Sequence, residues 1–193
     1  MAAPLFVGPA HPKKASEPAA RIYEHMIVLG VDPGLANTGY GIVRSEGSRM
    51  LAVQHGVIET VKSLPLAERL QEIYADTADL IASFAVDAVA VEDLYFGQNV
   101  SSALAVGQAR GVVLLAAAQH SVPVRSYTPQ QVKSAVCGSG RASKEQVANM
   151  VARLLGLAAP PQPDHAADAL AVAIADANCA PLVQAVAYAT GAR

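Results

Sequence analysis

Three strand-like runs, residues 26–31, 39–44 and 51–59, follow one another before any helical periodicity appears in this 193-residue chain. Beyond them the pattern alternates. Helix candidates span residues 65–84, 100–120, 128–136, 144–155 and 164–177, and two more strand candidates span 88–92 and 122–127. A meander that continues into strands separated by helices implies an α/β chain. The sheet is expected to be mixed and five-stranded, its last two strands parallel to the first, with helices on both faces. Within the first helix candidate, Leu66, Leu70, Ile73, Thr77, Leu80 and Ile81 fall near helical spacing. Pro129 sits early in the third, and Ser143 precedes the fourth as an N-cap.

The strand at 26–31 runs into V-D-P-G-L-A-N-T-G-Y-G, which places Asp32 where a strand breaks into a glycine-rich turn. Gly34, Gly39 and Gly41 strip side chains from the backbone around it, and a phosphate or a metal-phosphate is expected to approach there. By itself the segment suits a metal-dependent nuclease, an ATP-binding kinase of the actin type, or an ordinary turn. Other acids narrow the choice. The run at 86–91 ends in Glu92 and Asp93, and the last helix opens with His165 and Asp168, three apart and so on one face. Asp32, Glu92, His165 and Asp168 therefore form a candidate metal cluster drawn from two strand ends and a helix start. Hard oxygen donors with one imidazole suit Mg²⁺ or Mn²⁺. Zinc fits less well, since the chain has two cysteines and no paired Cys/His spacing.

Composition sets the frame for these motifs. Apolar residues make up 52% of the chain, much of it alanine, and no uninterrupted apolar run is long enough to span a membrane. A cytoplasmic protein with reduced, non-catalytic Cys137 and Cys179 is expected. Residues 1–25, with their prolines and no sustained periodicity, are expected to form a disordered extension, with Met26 as the functional start. Residues 26–178 are expected to form one domain, and 179–193 a flexible tail.

The segments V-D-P-G-x-x-x-T-G-Y-G, V-E-D-L-Y-F-G-Q-N, S-A-L-A-V-G-Q-A-R-G-V, Y-T-P-Q-Q-V-K and D-H-A-A-D-A-L-A-V-A-I, in that order, resemble the successive signatures of the RuvC family of bacterial Holliday junction resolvases. The resemblance covers residues 26 to about 178. It implies an RNase H-like fold and a homodimer acting on four-way junction DNA. It also implies symmetric nicks with 5′-phosphate and 3′-hydroxyl ends, in recombination and repair, after a branch-migration complex of the RuvA and RuvB type has moved the junction. Carried over by position, Asp32, Glu92 and Asp168 are acidic ligands. His165 stands where many members have a carboxylate, as metal ligand or as the base that activates water, and Asp164 is read as a helix-start residue. Two divalent ions per site, bridged by Asp32, would serve phosphodiester hydrolysis.

A formal net charge of −2 looks wrong for a DNA-binding enzyme until the charges are located. Between residues 97 and 157 stand Arg110, Arg125, Lys133, Arg141, Lys144 and Arg153 against Glu145 alone, a local charge of +5. By position in the family, Tyr95 is expected to stack on bases at the junction, and Lys133, Arg141 and Lys144 to contact DNA. The helix at 100–120 is apolar nearly all round, so a partner subunit is expected to cover part of it. Three rival functions differ in what they need. An RNA-processing nuclease would lack the stretch 99–111, an ATP-dependent kinase needs a second domain, and a non-catalytic DNA-binding module needs neither Glu92 nor Asp168.

Overall fold

A computed structural model describes residues 25–93 and 100–190. Five strands form one sheet in the order β3-β2-β1-β4-β5. The meander consists of β1 (His25–Asp32), β2 (Asn37–Glu46) and β3 (Arg49–Glu59), paired antiparallel. Helix α1 (Leu66–Ser83) then leads to β4 (Ala88–Glu92), and α2 (Val100–Gln119) to β5 (Val124–Tyr127); β4 is parallel to β1, and β5 to β4. Three helices close the chain: α3 (Pro129–Cys137), α4 (Lys144–Leu155) and α5 (Asp164–Thr190).

Both faces of the sheet are covered, which explains why β1 and β4 are near-continuous apolar runs. On one face Leu29, Val31, Ile42, Val89 and Val91 pack against Ile73 and Ile81 of α1 and Ala109, Val113 and Ala116 of α2. The other face, with Met26, Val28, Val43 and Ala90, meets α3, α4 and α5 through residues such as Val132, Val151, Leu170 and Ile174. Edge strand β3 carries a bulge opposite Ile42 and Val43. The extra residue is Val53, and its side chain is exposed.

Local sequence accounts for the helix ends. Thr128 with Gln131 and Ser143 with Gln146 form capping boxes, Pro129 occupies the first turn of α3, and Gly138 and Gly156 end α3 and α4 with φ of 73° and 66°. The expected N-cap at Ser143 and the helix 144–155 agree with this. Other boundaries differ: β2 extends two residues beyond the expected run at each end, and β3 starts two residues earlier. Strand β5 starts at Val124, two residues later than expected. Helix α5 runs on to Thr190, through the stretch expected to be a flexible tail. Its alanine-rich composition accounts for that, alanine being the strongest helix former. Among the described residues no helix is long and apolar enough to cross a membrane. Residues 1–24 and Tyr95 lie outside the described residues.

Candidate active site

Asp32 and Glu92 are brought together by strand register. Parallel β1 and β4 pair Val31 with Val91, so the next residue on each strand is an acid at the same level of neighbouring strands. Side-chain alternation sets the face. Val31 and Val91 point into the α1/α2 core while Val28 and Ala90 belong to the α5 side, which puts Asp32 and Glu92 on the α5 side as well.

Helix α5 reaches these acids because glycines let it lie directly on the sheet. Gly39 pairs with Asp32 across β1 and β2. A Cβ on Gly39 would strike the backbone carbonyl of His165, and one on Gly41 would lie 2.7 Å from Leu170. At Gly30 the obstacles would be the Ala169 carbonyl and the Ala173 amide. Sequence reading expected Gly34, Gly39 and Gly41 to open the backbone to a phosphate. The structure corrects this for Gly39 and Gly41, whose space is taken by α5, and a Cβ at Gly34 would meet the neighbouring carbonyl of Asn37. The glycines admit a helix, and the helix carries the remaining site residues.

His165 Nδ1 lies 2.7 Å from Asp32 Oδ2. An ionised carboxylate only accepts, so Nδ1 carries the proton and the Nε2 lone pair is left for a cation or for a proton from water. One turn later, Asp168 Oδ2 accepts from Lys144 Nζ at 3.0 Å, and Asp164 Oδ2 stands 3.8 Å from the same ammonium. Asp164 sits in the exposed first turn of α5. Burial, the charges of Asp32 and Asp168 and a hydrogen bond to Asp32 push Glu92 up to about 7. Burial likewise raises Asp168, opposed by Lys144, and the hydrogen bond to Asp168 raises Lys144.

Among the described residues no three His, Cys, Asp or Glu side chains stand together at metal-binding spacing. Asp32 is engaged by His165 and Asp168 by Lys144 instead. The donor set nonetheless fits a hard divalent cation. Three carboxylates share one field: burial first, and then the charges of Asp32 and Asp168, make Glu92 bind its proton more tightly, with Lys144 opposing them. A cation of higher charge would relieve the same repulsion.

Two arginines of the +5 segment are held in ion pairs by acids of this chain. Arg110 Nη2 donates to Asp93 Oδ1 at 2.9 Å and to Ser126 Oγ at 2.7 Å. Arg125 and the Tyr127 hydroxyl both donate to Asp176, which is fully buried on α5. Lys133 is half-buried on α3, and Arg141 is exposed just before α4. Lys144, read from sequence as a DNA contact, is held at the acids. A signal for this was present in the sequence, because a cation in the first turn of a helix opposes the macrodipole unless acids hold it. Asp176 was missed altogether. It lies among the alanines, valines and isoleucine of α5, where nothing local distinguishes it from a solvated charge. Cys137 and Cys179 are free thiols, raised by burial, as suits non-catalytic residues.

Comparison with known proteins gives a consistent result. The family profile described as Crossover junction endodeoxyribonuclease RuvC matches residues 28–176. A crossover junction endodeoxyribonuclease from Rubrobacter xylanophilus is 52% identical over 151 residues, covering 78% of this chain and 84% of its own. The Pelotomaculum thermopropionicum relative of the same description is 52% identical over 153 residues, covering 79% and 93%. Among solved structures, the Thermus thermophilus RuvC in complex with Holliday junction substrate aligns with a TM-score of 0.80 at 41% identity, over 82% of this chain and 97% of that one. The fold is thus RNase H-like, and the chain belongs to the RuvC family of crossover junction endodeoxyribonucleases.

Proposed function

We propose that this nuclease resolves four-way DNA junctions by divalent-metal-dependent phosphodiester hydrolysis, leaving paired nicks with 5′-phosphate and 3′-hydroxyl ends. The observation that carries the reading is the meeting of Asp32, Glu92, His165 and Asp168 from β1, β4 and α5 in a family of junction endonucleases. These four residues would hold two Mg²⁺ or Mn²⁺ ions, which supply Lewis-acid stabilisation of the charge that builds on the scissile phosphate.

The chain's own residues do the rest. Asp32 fixes the His165 ring and its tautomer, so Nε2 is ready to bind a cation or take a proton. Lys144 neutralises Asp168 and Asp164 in the free enzyme, which lowers the repulsion an incoming phosphate would meet at this end of the site. Lys133, Arg141 and Lys144 contact the phosphate backbone, and Tyr95 stacks on bases at the junction centre. A homodimer presents two such sites to the two-fold junction, in a cytoplasm where a branch-migration complex delivers it.

The test is cleavage of a labelled synthetic four-way junction beside a linear duplex of the same sequence, with Mg²⁺, with Mn²⁺ and with chelator. Metal-dependent paired nicks on the junction alone are expected. Equal cutting of the duplex would overturn the substrate, and binding without cutting would overturn the activity.

A further inference from the structure

Once Arg110 and Arg125 are set aside as ion-paired, two arginines of the basic segment remain outside any ion pair among the described residues. They share a groove. Arg141 and Arg153 line a depression of about 710 Å³ beside α4, together with Ser139, Gln146 and Asn149. Among the described residues no acidic side chain lines it. Gln146, Asn149 and Arg153 are exposed and recur at helical spacing, so they form one stripe along α4 that begins at Arg141.

The groove adjoins a second depression of about 380 Å³ that reaches the acid cluster: Asn149 lines both, and the second is also walled by Lys144, Glu145, Asp164 and Asp168. A strand with its reacting phosphate at Asp168 would cross the start of α4, past Lys144 and Glu145, to reach the arginine groove. Lys144 and Arg153 lie about 13 Å apart along the axis of α4 and, nine residues apart, on opposite faces of it, so a strand that touches both crosses the helix start between them.

We propose that this groove is a phosphate track for the DNA arm leaving the active site, with Arg141 and Arg153 as its cationic contacts and Gln146 and Asn149 as neutral donors. The inference rests on the junction-nuclease reading and adds Arg153, Gln146 and Asn149 to its DNA surface. Such contacts position the duplex and carry no sequence information.

Full-length protein with Arg141→Gln, Arg153→Gln, both changes, or the charge-retaining Arg153→Lys tests it, using junction binding by anisotropy in chelator across a salt series. Each neutralising change, carried by both subunits of the proposed dimer, is expected to lower the slope of log K against log salt by about two, while Arg153→Lys retains it. In a series of single neutral methylphosphonates stepped away from the cut, at least one position should weaken wild-type binding several-fold and should not weaken Arg153→Gln further. Unchanged slopes, or equal methylphosphonate sensitivity in wild type and Arg153→Gln, would overturn the track while leaving the nuclease reading intact. A wild-type chain that bound no junction would bring down both. Because both arginines are exposed, unchanged thermal melts will separate lost contacts from lost fold.

Discussion

Glu92 is the residue whose charge state the fold alters most. Between its ordinary value of 4.5 and about 7 the folded chain holds a proton that the unfolded chain has released. Its contribution to the stability of metal-free protein therefore falls as pH rises through that window, and is most favourable below it. Glu92→Gln keeps a donor toward Asp32 and removes the ionisation. Urea unfolding in chelator is expected to show the variant more stable at pH 8, by roughly 2 kcal/mol, with little difference at pH 4.5. Adding Mg²⁺ or Mn²⁺ at pH 8 should reverse the order, because only ionised Glu92 is a full ligand. Asp32→Asn has a different signature. It replaces the carboxylate beside His165 with a neutral amide that is a poor metal ligand, and cleavage is expected to be lost while junction affinity stays within about threefold of wild type. An active Asp32→Asn enzyme at saturating metal would contradict the assigned role.

At the scale of elements, the seating of α5 on the sheet decides whether there is a site at all. Gly39→Ala would push a methyl into the backbone of His165, so the first turn of α5 must move. The expected cost is about 1–3 kcal/mol of stability, with a loss of cleavage larger than the loss of junction binding. Further along the same helix, buried Asp176 receives Arg125 and Tyr127 from β5. Asp176→Ala leaves that guanidinium without its partner, and a loss of about 3 kcal/mol is expected in thermal or urea unfolding. These two anchors act at different points. Glycine contact sets the depth of α5 against β1 and β2, and the Asp176 pair ties it to β5.

For the molecule as a whole, α2 shows how far one chain satisfies its own apolar surface. Ala109, Val113, Ala116 and Ala117 are buried against the sheet and α1, while Leu104 and Leu115 remain 65% and 50% exposed. The proposed homodimer would cover them. Leu104→Glu combined with Leu115→Glu is expected to give a monomer by light scattering, and cleavage should change from paired to single nicks. A dimer that persisted would place the interface elsewhere. Charge is also a whole-molecule property here. A net charge of −2 coexists with a basic patch because the fold gathers Arg141 and Arg153, unpaired among the described residues, on one groove.

Much of this was legible in the sequence, for physical reasons that differ by feature. Strands β1 and β4, the ends of α3 and α4, and the capping residues Thr128 and Ser143 follow from local periodicity and hydrogen-bond chemistry, which a short window of residues determines. Asp32, Glu92, His165 and Asp168 stood out because carboxylates at strand ends and helix starts are conspicuous beside apolar runs. Only the tertiary structure decided what surrounds them. That Gly39 and Gly41 accommodate a helix and not a ligand, that Lys144 neutralises Asp168, and that Arg125 is bound to Asp176 all depend on residues distant in sequence meeting across the sheet. Charge and small size are properties of a residue. Which neighbour a charge answers, and what fills the space a glycine leaves, are properties of packing.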